Sequence, residues 1–283
     1  MSVDHYENFP VASFLCPPAL RPAVMAIYQF ARTADDIADE GEAPAAERLA
    51  ALERYERALH QAAAGRVGSD WPQVFRPLAR QMTTHGLPVA LLVQLLAAFK
   101  QDTRNPVYPD RAALLDYCSR SADPIGRLLL HLSGVNDATA LAQSDAICSS
   151  LQLINFWQDM SVDHRRGRYY VPQADAHRHG LDVTTLRSDS DASRTLVREL
   201  CAWARALMQQ GAPLVHRLPG RFGWELRLVV QGGLRILDKI EAGGFNTLDR
   251  RPTVGGFDAP LLLWRALWMR PGAPALRADP AAR

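Results

Sequence analysis

No window of this 283-residue chain reaches the roughly 18 uninterrupted apolar residues at which a helix begins to span a bilayer. The formal net charge is only +2, and no basic block is interleaved with aromatics, so composition gives no case for a nucleic-acid partner. The four cysteines, Cys16, Cys118, Cys148 and Cys201, form no CxxC pair. That excludes a zinc ribbon or a disulfide framework and leaves buried free thiols in a reducing compartment. Met1 to Pro10 is polar and acidic, so no signal peptide is expected. Alternating apolar and polar runs are missing, and no 20–50-residue repeat is present. The expected location is cytoplasmic, either in solution or at the inner membrane surface.

What is present is helical periodicity. From Ala19 to Glu40 the apolar positions Leu20, Val24, Ile27, Ala31 and Ala34 recur at helical spacing, and Gly41 and Pro44 end the run. Further helices are expected over 45–64, 71–85, 88–100, 110–134, 144–163, 188–217, 224–241 and 259–269. Asp123-Pro124 and Gly126 are kink points in the 110–134 segment. His177 to Asp182 is polar, and 271–283 is expected to be a disordered tail. With 48% hydrophobic residues and no linker, the chain reads as one all-α domain of roughly eight to ten helices.

Three carboxylates interrupt the first helix as Asp35-Asp36-Ile37-Ala38-Asp39. At about 100° per residue, Tyr28, Arg32, Asp35 and Asp39 share one stripe, with Asp36 on its rim. A second stripe holds Gln152, Asn155, Asp159 and Asp163. Either acidic pair alone reads equally well as solvated surface. Two pairs set among apolar neighbours are harder to explain that way, because buried carboxylates are costly unless paired or metal-bound. Magnesium takes one or two carboxylates and completes its shell with water and phosphate oxygens. Facing stripes therefore suit a diphosphate held through Mg²⁺. Arg165, Arg166 and Arg168 follow Asp163 directly. One of them is expected to grip phosphate, the others to cap the helix end.

These motifs carry a resemblance. Asp35-Asp36-x-x-Asp39, Asn155-Phe156-Trp157-Gln158-Asp159-x-x-x-Asp163 and Arg165-Arg166-Gly167-Arg168-Tyr169-Tyr170-Val171-Pro172 resemble the squalene/phytoene synthase family, over nearly the whole chain from His5 to about Val254. The resemblance implies an isoprenoid-synthase helical bundle with a central diphosphate and Mg²⁺ cavity. Within the family, His5-Tyr6-Glu7-Asn8-Phe9, the 31–39 run and Tyr117 to Gly126 look most like the hydroxysqualene synthases of bacterial hopanoid biosynthesis. Those enzymes are lyases that act on presqualene diphosphate.

By that resemblance, Asp35, Asp36 and Asp39 hold Mg²⁺ on one wall and Asn155, Asp159 and Asp163 on the other, with three ions expected. Gln152 helps order the second wall. His5, Arg32, Arg166 and Arg250 are the expected contacts of substrate diphosphate, and Tyr117, Asp35 and Asp159 the expected catalytic residues. Tyr117 reads equally as a core aromatic on sequence alone. Phe30, Phe156, Trp157 and Phe245 are candidates for an aromatic wall around a cation. The chain departs from its relatives at Gln158, where many carry Arg, at Gly233, where many carry Tyr, and at Ser119 to Asp123, where the family run is Tyr-Gly-Val-Ala-Gly-like. These changes spare the metal residues and alter the cavity, which points away from condensation of two farnesyl units.

The expected reaction is diphosphate loss from presqualene diphosphate, rearrangement of the cation and capture by water. NADPH is not expected. No Gly-rich dinucleotide fingerprint occurs, although a helical enzyme of this kind needs no Rossmann unit. Two rivals are head-to-head joining of two prenyl diphosphates such as farnesyl diphosphate, and a non-enzymatic helical assembly factor of the same fold. The tail 261–270, rich in Leu, Trp and Arg, reads either as an interfacial helix touching membrane or as a last core helix.

Overall fold

The computed structural model describes residues 16–269. The expected contact His5 and the tail 271–283 lie outside the described residues. After a turn at 17–20, α1 spans Arg21–Asp39, with Pro22 in its first turn. Its buried side chains, Ala23, Ala26, Ile27, Phe30, Ala34 and Ala38, are mostly small, so neighbouring helices approach one face closely. Glu40 turns extended and Gly41 adopts φ +83°, which ends the helix.

Helices α2 (Ala45–Ala63), α3 (Pro72–His85) and α4 (Val89–Asp102) pack against α1. Their shared core centres on Phe30, Tyr55 and Phe75, with ring centroids 5.3 Å (Phe30–Tyr55) and 4.8 Å (Tyr55–Phe75) apart. The Tyr55 hydroxyl is satisfied by donating to the Phe30 carbonyl at 3.1 Å.

The expected 110–134 helix is two helices, α5 (Arg111–Ser121) and α6 (Asp123–Leu132), with Ala122 at φ −123° between them. Pro124 has no N–H to offer the Arg120 carbonyl, and the Ile125 N–H goes to Ala122 instead, so the ladder breaks. Next, α7 runs Ala138–Gln158, starting six residues earlier than expected because Asp137 caps it, accepting from the Ala140 N–H at 3.0 Å. It stops at Asp159, and α8 (Met160–Asp163) follows as a separate turn. The Ser161 N–H is diverted to the Thr247 carbonyl at 3.1 Å, which bends the chain there.

A short α9 (Gln173–Arg178) takes up the start of the polar stretch, and α10 (Asp191–Gly211), α11 (Gly220–Ala242) and α12 (Ala259–Leu267) complete the described fold. Gly211 lets α10 lie directly on α7, since a Cβ there would sit 2.5 Å from the Gln143 carbonyl oxygen. The second core gathers α5, α7, α10 and α11 around Trp157, Leu196, Leu200 and Met208. Among the described residues there is no strand, only one isolated bridge between Val107 and Tyr169. The α1 group and the α7 group face each other across open space, and that space is the site.

Candidate active site

The polar stripe of α1 and the polar stripe of α7 line one cavity of about 370 Å³. Tyr28, Arg32, Asp35 and Asp39 come from α1, and Gln152, Asn155, Asp159 and Asp163 from α7 and α8. The facing walls expected from helical spacing are therefore brought together. Asp36 is not among the lining residues. It sits on the rim and pairs with Arg32 at 2.7 Å.

An acidic residue that the sequence pattern did not single out, Asp102, joins the expected Tyr117 in the walls. Asp102 ends α4 and accepts the Tyr117 hydroxyl at 3.0 Å, so Tyr117 does face the site. Burial pushes Asp102 up to about 7, the Tyr117 hydrogen bond opposes the rise, and the charge of Asp35 adds to it. Asp163 is also pushed up to about 7, first by burial and then by Asp159. Asp35 is raised by burial, against the pull of Arg32. Asp102 carries one signal that could have found it: an acid three residues after Phe99, at the end of an apolar helix and so on the same face.

The aromatic wall differs from expectation. Phe156 lines the cavity and stacks on Tyr170 at 3.8 Å between centroids, with Phe99 and Tyr117 beside them. Phe30 belongs to the α1–α3 core, and Trp157 is fully buried 6.3 Å from Trp203. Phe245 lies beneath the Arg198 guanidinium. Phe30 and Trp157 point away because they lie off the stripes that face the cavity, and Phe245 sits in the turn after α11.

The carboxylates are held by arginines. Arg32 bonds Asp35 at 3.0 Å, Arg168 pairs closely with Asp39, and Arg166 reaches Asp39 at 3.4 Å from the mouth. Of the three basic residues after Asp163, Arg168 enters the cavity, Arg166 stands at its rim and Arg165 lines a different hollow. Arg250 is exposed, whereas its neighbour Arg251 grips Asp159 with two nitrogens, Nη2 to Oδ2 at 3.2 Å. The loop carrying it is pinned by Gln158, whose side-chain amide donates to the Pro252 carbonyl at 2.7 Å. A positive charge thus enters next to Asp159 from the loop although position 158 is Gln.

A vestibule of about 860 Å³, lined by Arg32, Arg48, Asp102, Arg166 and Arg168, opens outside the walls. On the inner side, an apolar cavity of about 430 Å³ is lined by Ile27, Ile125, Leu129, Ile147, Leu151 and Leu226. Tyr28 and Ala31 line both this cavity and the polar one, so the two adjoin. Gly233 lines neither. A Cβ there would meet Leu151 and Met208 at 2.9 and 3.0 Å, so its smallness serves the packing of α11 on α7 and α10.

This is a polar, carboxylate-walled compartment leading into an apolar one. The squalene/phytoene synthase model matches residues 3–258. The chain belongs to the squalene/phytoene synthase family. It is an enzyme of that family. It is similar to the hydroxysqualene synthase of Zymomonas mobilis, 41% identical over 170 residues, covering 59% of this chain and 54% of that relative. The hydroxysqualene synthase of Rhodopseudomonas palustris is 33% identical over 239 residues, 83% of this chain and 80% of the relative. Among solved structures, squalene synthase HpnC from Alicyclobacillus acidocaldarius superposes with a TM-score of 0.78 at 38% identity, covering 86% of this chain and 90% of that one.

The donors in the cavity are all oxygen: Asp35, Asp39, Asp102, Asn155, Asp159 and Asp163. Among the described residues, no three acids or histidines converge as a ready cage for a metal ion. That donor set fits Mg²⁺, which prefers few carboxylates and fills its shell with water and phosphate oxygens, and it does not fit zinc.

Proposed function

We propose that the protein converts presqualene diphosphate to hydroxysqualene by diphosphate loss, rearrangement and capture by water. The observation that carries this reading is the adjoining of the arginine-and-aspartate cavity to the apolar one at Tyr28 and Ala31. A diphosphate fits the first and an isoprenoid chain the second. The similarity to hydroxysqualene synthases favours this member of the family's reactions.

Asp35, Asp39, Asn155, Asp159 and Asp163 would hold Mg²⁺, with Asp36 supporting from the rim. When bound, the metal supplies Lewis-acid charge that stabilises the departing diphosphate. Arg32, Arg168 and Arg251, now spent on carboxylates, exchange those partners for diphosphate oxygens, and Arg166 guards the mouth. Tyr117 is fixed by Asp102 against the stack of Phe156 and Tyr170, which offers faces to a carbocation worth ~0.5–2 kcal/mol per contact. The apolar cavity keeps bulk water from the hydrocarbon. In this reading water, and not a hydride from NADPH, ends the sequence.

Purified protein given presqualene diphosphate with Mg²⁺ and no NADPH is expected to form hydroxysqualene. Farnesyl diphosphate alone is expected to give nothing, and product from it would overturn the reading in favour of head-to-head joining.

The substrate is a lipid, and α12 supplies a surface for meeting one. No helix among the described residues is long and apolar enough to cross a membrane. Only Ala266 of α12 is buried, while Leu263, Trp264, Leu267 and Trp268 are exposed beside Phe257. Aromatic rings of this kind settle at the headgroup level, so this face is the peripheral membrane contact. Flotation with anionic vesicles should fall for a Trp264→Ser, Trp268→Ser variant; unchanged flotation excludes the face.

A further inference from the structure

Water capture needs a group that holds one water where the cation forms. That carbon lies at the seam between the carboxylate cavity and the apolar one, since diphosphate occupies the first and the chain the second. The stretch Ser119 to Asp123, where the chain departs from its relatives, carries several polar residues, and the structure separates them. Ser119 is exposed and donates to the Asp116 carbonyl at 2.7 Å. Arg120 pairs with Asp116 and with the Gln101 side chain. Asp123 is buried on the far side, accepting from the Ser149 hydroxyl at 2.9 Å. Ser121 remains, and it lines the polar cavity.

Its hydroxyl is unusual in this molecule. A helical serine or threonine ordinarily satisfies its hydroxyl by donating to a carbonyl one turn back. Ser133 does so to Leu129 at 2.8 Å, Thr83 to Ala79 at 3.0 Å and Thr195 to Asp191 at 2.8 Å. Among the described residues, Ser121 Oγ is the one buried hydroxyl with no hydrogen-bond partner. A buried polar group left unpaired costs about 1–3 kcal/mol, which calls for a ligand or water to meet it. Ser121 is the last residue of α5, and Ile125, in the first turn of α6 beyond the break at Ala122, lines the apolar cavity. Ser121 thus brings an uncharged, unpaired hydroxyl to the polar cavity that Tyr117 and Phe156 also line, close in the chain to a residue of the hydrocarbon compartment.

We infer that Ser121 is the positioning residue for the water that captures the rearranged cation. This rests on the reaction proposed above. Ser121 Oγ accepts a hydrogen bond from the water and so turns a lone pair of the water oxygen toward the cationic carbon. The bond from carbon to diphosphate oxygen has already broken, its electron pair leaving with the diphosphate. The water lone pair forms the new carbon–oxygen bond, and the proton released from the oxonium goes to that diphosphate. Presqualene diphosphate and water become hydroxysqualene and diphosphate, with no oxidant or reductant.

The test gives wild type, Ser121→Ala and Ser121→Thr the same presqualene diphosphate with Mg²⁺, and reads diphosphate release and the full product distribution separately. In Ser121→Ala, diphosphate release should stay within about threefold of wild type, because ionisation does not use the hydroxyl. The hydroxysqualene share should fall about tenfold, in favour of hydrocarbons formed by proton loss and isomeric alcohols. Ser121→Thr, which keeps a hydroxyl, should restore most of that share. A structural role alone would lower total turnover without moving the distribution. An unchanged hydroxysqualene share in Ser121→Ala overturns the inference, as does slowed diphosphate release with an unchanged share, which would make Ser121 a diphosphate contact. A wild type that releases diphosphate but yields no hydroxysqualene overturns the proposed reaction and this inference together.

Discussion

Replacing Asp123 by Asn should make the protein more stable at alkaline pH. Asp123 is the first residue of α6, is 6% exposed, and accepts one hydrogen bond from Ser149. Burial pushes its carboxyl from 3.8 up to about 7; the Ser149 hydrogen bond opposes the rise, and Asp145 adds to it. Its folded value lies above its unfolded one, so the native state holds the proton more tightly. The stability this gives is full below about pH 4 and is lost as pH rises through 7. The gap between 3.8 and about 7, at ~1.4 kcal/mol per pH unit, amounts to about 4 kcal/mol. Some 3 kcal/mol of that falls between pH 5 and pH 8. The carboxamide of Asp123→Asn keeps an acceptor for Ser149 and does not titrate. Urea unfolding of both proteins at pH 5 and pH 8 measures the difference. Asp35, Asp102 and Asp163, which are also raised, titrate in both proteins and cancel. The stability difference should move by about 3 kcal/mol in favour of the variant on going to pH 8. A difference that stays constant would refute a buried, protonated Asp123.

Other perturbations separate the roles of particular residues. Asp35→Asn and Asp159→Asn should each cut diphosphate release by about 10²–10³ while the circular dichroism spectrum stays unchanged, and chelation of Mg²⁺ should mimic them. Arg251→Gln should raise KM about tenfold and Arg250→Gln should change it far less, because only Arg251 reaches Asp159; steady-state kinetics distinguishes them. Gly211→Ala should destabilise the fold by about 1–3 kcal/mol in thermal melts, since its Cβ would press on the α7 backbone at Gln143.

The chain's sequence by itself determined the helical class, most helix bounds and the two carboxylate stripes. These depend on local spacing: apolar residues three and four apart make a helix face, and Asp35 with Asp39 shares such a face whatever the rest of the chain does. Helix ends that depend on partners elsewhere were not readable. The stop at Asp159 exists because Ser161 bonds Thr247 from a loop more than eighty residues away.

Which side chains meet across the cavity was decided only by tertiary structure. Asp102 counts as a site residue because α4 packs beside α5 and sets it against Tyr117. Arg251 rather than Arg250 enters because Gln158 pins the neighbouring Pro252 carbonyl. Phe30 and Trp157 fall into cores because a helix has more than one apolar face, and spacing does not say which neighbour each face meets. Ser121 lies in a run that the sequence marks as altered. Its unpaired hydroxyl is a property of the break between α5 and α6 and of the cavity it lines, which no local pattern records.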